Sequence, residues 1–367
     1  MFCYFALQKT LLHYSMPSFK PYLIFLYVVI ITACNTTAPV DNPQPSVYFW
    51  KTVFDPDSTE MAFINDFGIK KIYMRYFDVV FDQDKNALMP NATLRFMQPV
   101  PEGVEVIPVV FVVEKCLRHN VDSIANMLVD RVIKISETNH VPQIHEFQID
   151  CDWTAKSEKV YFPFLQKVKD YAAAKGLKLS VTIRLHQLNM AAPPCDYGVL
   201  MLYNTGNYAN RKCVNPILYY NDVKPFLRHL KKYPLRMCVA FPNFKWQILF
   251  KKGKYSNILY SENLDDTLNF ARIDSATFFV QNARDIPMYI GNEAFNVMLH
   301  YGDTIFVRKA EFIEIEKVRA AVNEYRPEIL SQTIIYDLNS NNINNINYQQ
   351  YEKIFSGSTT VDRANQQ

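Results

Sequence analysis

The run Val104–Val113 (VEVIPVVFVV) is nearly all apolar, as expected of a strand. A strand that shows apolar side chains on both faces has to be covered on both faces, which is the situation of a parallel strand in an α/β protein. The chain around it has the matching rhythm. Short β-type runs at Val47–Trp50, Lys71–Phe77, Glu146–Asp150, Leu177–Ile183, Tyr197–Tyr203, Arg236–Phe241 and Thr333–Tyr336 alternate with amphipathic stretches. The clearest of these is Val121–Glu137, where Ile124, Met127, Leu128, Val132 and Ile135 fall on one helical stripe. Helices are also predicted over Ser58–Phe67, Tyr161–Ala174 (stopped by Gly176), Asp222–Lys232, Glu311–Tyr325 and about Gln349–Phe355. Alternation of this kind implies parallel strands joined by right-handed crossovers. With Val104–Val113 there are eight strands, enough to close a (β/α)8 TIM-like barrel. A doubly wound open sheet is the competing architecture, and the lack of a Gly-rich phosphate loop after the first strand weakens its nucleotide-binding form.

The segment between the seventh and eighth strands runs to about ninety residues, far beyond an ordinary connection. Strands or a hairpin are expected at Lys251–Tyr260 and Met288–Val307, so an insertion over about 251–330 elaborates a single barrel spanning 47–356. Residues 357–367 read as a disordered tail.

The N-terminus has a different character. Tyr22–Ala33 is apolar apart from two tyrosines and Thr32, follows Lys20, and ends in Ile31-Thr32-Ala33-Cys34. At this length it falls short of the roughly 20 residues of a membrane-spanning helix. A basic start, a short apolar run and small residues before a cut site read as a secretory signal over residues 1–33, with Met16 an alternative translation start; an uncleaved anchor helix or a buried core segment is the alternative. The segment resembles a bacterial lipobox, which implies that Cys34 becomes a lipid-bearing mature N-terminus. Several acyl chains on one residue anchor far better than one. Residues 34–46, rich in Pro, Asn and Thr, would then tether an exported domain to a cell membrane or outer membrane.

Thirty-nine basic side chains against 36 acidic ones leave a formal charge of +3, so nothing marks the chain for nucleic acid. With Cys3 removed and Cys34 acylated, the remaining cysteines Cys116, Cys151, Cys195, Cys213 and Cys238 are odd in number and lack metal-type spacing, against both a disulfide framework and a zinc site. Neither a cofactor nor a metal is expected.

In a barrel of this kind, functional groups collect where the strands end. The densest cluster is Phe147-Gln148-Ile149-Asp150-Cys151-Asp152-Trp153-Thr154. Asp150 and Asp152 lie two apart on an extended strand and point to one face. Crowded carboxylates raise one another's pKa and can divide acid-base work from charge stabilisation. Equally, the pair can cap the following helix or bind a Lys or Arg of a neighbouring strand. Arg75 and Asp78 end the second strand, as a substrate clamp or as a structural pair. Glu114 ends the third and is a substitute proton donor. Arg184 and His186 end the fifth, and the histidine titrates in the useful range. Asp337 and Asn339 end the eighth. Trp50, Trp153 and Trp246 are candidate stacking platforms, with plain packing the alternative for each.

The run Asp150-Cys151-Asp152-Trp153 resembles the end of the fourth-strand Asp-x-Asp-x-Glu signature of chitinase-like glycoside hydrolases. Met201-Leu202-Tyr203-Asn204 is similar to their sixth-strand motif. The resemblance implies substrate contacts from Tyr203 and Asn204, with Asp150 and Asp152 in catalytic roles. Two departures limit it. The proton-donating glutamate is replaced by Thr154, which cannot protonate a leaving oxygen near neutral pH, and the Asp-Gly opening is Phe147-Gln148. Val47-Tyr48-Phe49-Trp50, Tyr73–Asp78 and Ile335–Asn339 add a likeness to poorly characterised exported bacterial lipoproteins with glycoside-hydrolase-like barrels. Together these imply an envelope protein that binds or hydrolyses an unidentified glycan. The alternative is a non-catalytic binding or assembly lipoprotein on a decayed hydrolase scaffold.

Overall fold

The computed structural model describes residues 43–260, 262–290 and 293–356. The signal segment, Cys34, most of the tether and the tail lie outside the described residues.

Eight parallel strands close into a barrel: β1 (Gln44–Phe49), β2 (Lys71–Asp82), β3 (Glu105–Val112), β4 (Glu146–Asp150), β5 (Lys178–Arg184), β6 (Tyr197–Met201), β7 (Met237–Pro242) and β8 (Gln332–Tyr336). Closure rests on β1, which pairs with β8 through Val47↔Ile335 and with β2 through Tyr48↔Tyr73. The open-sheet alternative is thereby excluded. The first strand begins at Gln44, so the end of the segment read as tether is part of the barrel wall.

Helices α1 (Ser58–Asp66), α2 (Ala125–Thr138), α3 (Glu158–Ala174), α4 (Tyr220–Leu230), α5 (Phe312–Tyr325) and α6 (Tyr348–Ser356) follow β1, β3, β4, β6, β7 and β8. The first is fixed by a capping box: Asp57 accepts from the Glu60 backbone N–H at 2.9 Å while the Glu60 carboxylate accepts from the Asp57 N–H. No α-helix is seen after β2 or β5 among the described residues. After β2 the strand runs on past Phe77 and pairs antiparallel with Ala87–Asn91, and after β5 there is only a 3₁₀ turn, Leu185–Asn189. An aromatic and β-branched run such as Tyr76–Phe81 favours continued strand over helix.

Between β7 and α5 the chain makes a five-stranded antiparallel sheet from Lys245–Lys251, Lys254–Leu259, Phe270–Arg272, Thr277–Val280 and Thr304–Lys309, with a hairpin of Arg284–Ile290 and Glu293–Leu299. Leu249, Leu259, Phe270, Val280, Leu299 and Ile305 form a small core of its own. This elaboration begins and ends earlier than the expected 251–330, because Phe312–Tyr325 packs on α4 as a barrel helix. None of the described helices is long and apolar enough to cross a membrane.

The barrel interior is partly polar below the site. The Tyr48 hydroxyl donates to Gln148 Oε1 at 2.7 Å, and Gln332 Nε2 donates to the Tyr73 hydroxyl at 2.9 Å, all four residues being buried. A layer of mutually satisfied groups costs little to bury and fixes the strand register. Gly198 on β6 marks a close approach in the wall. A Cβ there would lie 2.7 Å from Leu235 Cδ2 and 3.1 Å from Met237 Cγ. Gly198→Val is expected to cost about 1–3 kcal/mol by overpacking, read as a lower urea midpoint at unchanged slope; an unchanged midpoint would contradict this packing.

Candidate functional site

The strands end around a cavity of about 600 Å³. Trp50 and Lys51 enter it from β1, Arg75 from β2, Asp150 from β4, Arg184 from β5, Tyr203 and Asn204 from β6, Phe244 and Trp246 after β7, and Tyr336, Asp337, Asn339 and Asn342 from β8 and the turn beyond it. Asp150, Arg184, Tyr203 and Asp337 thus open onto one end of one barrel, where parallel-barrel sites lie.

The floor is aromatic. Tyr203 and Tyr336 stack at 5.0 Å between ring centroids, Phe244 meets Tyr336 edge-on at 5.8 Å, and Trp246 lies 5.4 Å from Phe244. Trp50 packs 5.6 Å from Tyr336, and the Arg75 guanidinium lies 5.6 Å from the Trp50 ring centroid. Trp153, by contrast, is fully buried against Tyr161 and Phe162 and is a packing residue. Asn204 adopts a left-handed backbone (φ 55°), which asparagine tolerates better than most residues.

The charged wall centres on Arg184. Its Nε donates to Asp152 at 2.5 Å and its Nη2 to Asp150 at 3.0 Å, while Asp150 also accepts from Thr182 Oγ1 at 2.6 Å. The Arg184 N–H donates to Gln187 Oε1, and Gln187 Nε2 donates to the Trp153 carbonyl, so the buried Gln187 locks the turn after β5 to the end of β4. Asp150 is 4% exposed. Burial raises its pKa, the Arg184 charge pulls it down, and Asp152 adds a push upward. Desolvation therefore outweighs the mutual repulsion expected from the Asp-x-Asp spacing, and the two carboxylates share a cation from the neighbouring strand. Burial works against the Arg184 charge, but Asp150 and Asp152 hold its pKa above the ordinary value.

Other candidates stand differently. Asp78 is buried behind Arg75 and holds its guanidinium through two hydrogen bonds, outside the cavity lining. Asp152 is exposed at the rim. Glu114 opens a 3₁₀ turn and His186 is exposed; neither lines the cavity. Thr154 is also exposed and outside the lining. Its N–H donates to Ser157 Oγ at 3.0 Å and its carbonyl accepts from Glu158 N at 2.9 Å, so it serves the turn into α3. Lys51, Phe244, Tyr336 and Asn342 were not singled out by the strand-end reading, although Lys51 directly follows the first strand and Tyr336 closes the last. Among the described residues no three His, Cys, Asp or Glu side chains converge as a metal site, and Cys116, Cys151, Cys195, Cys213 and Cys238 are free thiols.

Removing the cation tests this wall. Arg184→Met would leave Asp150 buried without its cation, only the Thr182 hydroxyl remaining, an expected loss of about 3 kcal/mol. The double variant Arg184→Met/Asp150→Asn should recover part of that loss in chemical denaturation, and additive losses would contradict the pairing.

No family model matches the chain, and no curated protein does. Among solved structures, the spore cortex-lytic enzyme SleL of Bacillus megaterium QM B1551 aligns with a TM-score of 0.50 at 12% identity, over 86% of this chain and 74% of that one. A chitinase from Chromobacterium violaceum ATCC 12472 aligns with a TM-score of 0.49 at 14% identity, over 81% and 95%. A GH18 chitinase mutant from Cycas revoluta in complex with (GlcNAc)4 aligns at 0.46 and 10% identity, over 85% and 97%. At these identities the likeness concerns the fold alone, that of a closed TIM-like barrel.

Proposed function

We propose that this barrel binds a glycan in the cavity at its strand ends and does not cleave it by the chitinase route. The observation that carries the reading is the aromatic floor of Tyr203, Tyr336, Phe244 and Trp246 beside fixed polar groups. A sugar has an apolar ring face and a belt of hydroxyls, and a site of mixed ring faces and hydrogen-bonding groups is complementary to both. The glycoside-hydrolase-like fold and the cortex-lytic activity in the SleL name point the same way.

Against cleavage stand Thr154 and Arg184. The fourth strand offers no carboxylic acid where the chitinase signature needs one, and loss of a general acid typically costs about 10² to 10⁴ in rate. Asp150 and Asp152 are both engaged by one guanidinium. Each therefore has an oxygen committed as an acceptor to that guanidinium. In the same reading the lipid on Cys34 holds the domain at the cell envelope, so that the cavity meets glycans there.

Chitotetraose is the first probe, because the oligosaccharide in the Cycas revoluta complex is of that type. Calorimetry on the soluble domain should give saturable binding, weakened about tenfold by Trp246→Ala, with no products above the buffer control. Turnover by the wild type that disappears with Glu114→Gln would overturn the non-catalytic reading. Separately, Cys34→Ser should abolish lipid labelling and move the protein out of the detergent phase; unchanged partitioning would remove the anchor from the account.

A further inference from the structure

Two acids line the cavity, and their surroundings differ. Asp150 is held by Arg184. Asp337 makes no ion pair among the described residues, and the nearby Lys51 ammonium is taken up by the buried Glu60 at 2.6 Å. Asp337 is nonetheless firmly placed. Its backbone N–H donates to Asn243 Oδ1 at 2.7 Å and its carbonyl accepts from Asn243 Nδ2 at 3.0 Å. Asn243 is in turn tied to the Tyr351 hydroxyl of α6. One carboxyl oxygen, Oδ1, accepts from Asn342 Nδ2 at 2.6 Å, and Oδ2 has no protein partner among the described residues. An uncompensated buried carboxylate is costly, and a neutral carboxyl in its place has one hydrogen to give. With Oδ1 occupied as an acceptor, that hydrogen belongs on Oδ2.

We propose that Asp337 binds the glycan as a neutral carboxylic acid, donating from Oδ2 to a sugar oxygen. The proposal rests on the glycan reading above and adds the group that orients the ligand. Charged and titratable groups reach Asp337 from several elements. Lys51 follows β1, Glu60 is on α1, Tyr203 follows β6, Tyr336 ends β8, and Tyr351 is on α6. Burial pushes the Asp337 carboxyl up to about 6; the Asn342 hydrogen bond and Lys51 oppose this, and Glu60 adds to it. Burial also raises all three tyrosines, which stay neutral over the same range.

The sign follows directly. A ligand that accepts from the protonated form binds best below about pH 6 and weakens as the carboxyl ionises above it, by up to tenfold per pH unit. In the ligand-free protein, the raised value contributes stability that is complete below the ordinary carboxyl range and gone once pH has risen through about 6. The test is chitotetraose calorimetry from pH 5 to 7.5 on wild type and Asp337→Asn, with denaturation of both proteins over pH 3.5 to 7.5. Wild-type affinity should fall by up to about thirtyfold across the calorimetric range. Asp337→Asn, whose amide donates at every pH, should bind with little pH dependence and lose the stability decline. Wild-type binding that is flat with pH, or an unchanged pH profile in Asp337→Asn, overturns the role of Asp337 and leaves the glycan site standing. Absence of saturable chitotetraose binding at every pH, in a protein that shows the stability decline, overturns the glycan reading and this proposal with it.

Discussion

A guanidinium held between two carboxylates organises the mouth of this barrel. Arg184 ends β5 and reaches Asp150 and Asp152 at the end of β4, while Gln187, one turn further on, ties the same two strands together through the Trp153 carbonyl. Removing a charge from water costs several kcal/mol unless a partner and hydrogen bonds replace the lost solvation. Asp150 has both, from Arg184 and Thr182. The arrangement therefore persists as a unit, and it fixes the chemistry available on that side of the cavity: an anchored acceptor pair with its own cation.

The other side of the cavity is built on different terms. Around β8 the wall is made of amides and aromatic rings. Asn243 spans from the end of β7 to the Asp337 backbone, Asn342 caps its carboxyl, and Tyr336 lies against Tyr203. Where β4 and β5 bring charge and countercharge, β7 and β8 bring uncharged hydrogen-bonding groups around one unpaired acid. A ligand in this cavity meets a floor of aromatic rings, an arginine-bound carboxyl group on one wall and an unpaired acid among amides on the other. That asymmetry suits a ring-shaped molecule with hydroxyls on both edges.

Much of this was legible in the sequence because a parallel barrel imposes simple rules on it. Val104–Val113 had to be buried on both faces, and each apolar run ends where a functional group can stand, so Asp150, Arg184 and Asp337 could be named from their positions, while Tyr203 and Asn204 came from the likeness to the chitinase-like sixth-strand motif. What stayed hidden depends on register. That Arg184 meets both aspartates follows from the pairing of Ile149 with Val181 on β4 and β5, which no single strand reveals. The same limit applies to Thr154, whose hydrogen bonds belong to the start of α3. Phe244 escaped the strand-end rule because the chain passes from β7 into the inserted sheet after only two residues, so no helix marks where the barrel strand stops.

The three tryptophans make the central claim directly measurable, since two line the cavity and one does not. Trp50 and Trp246 line it, while Trp153 is enclosed between β4 and α3. Their indole N–H resonances can be followed in a ¹⁵N-labelled domain during titration with chitotetraose. If the aromatic-floored cavity is the binding site, the Trp50 and Trp246 resonances should shift with one saturable isotherm and Trp153 should stay in place. Saturable binding that leaves Trp50 and Trp246 unmoved would contradict the account.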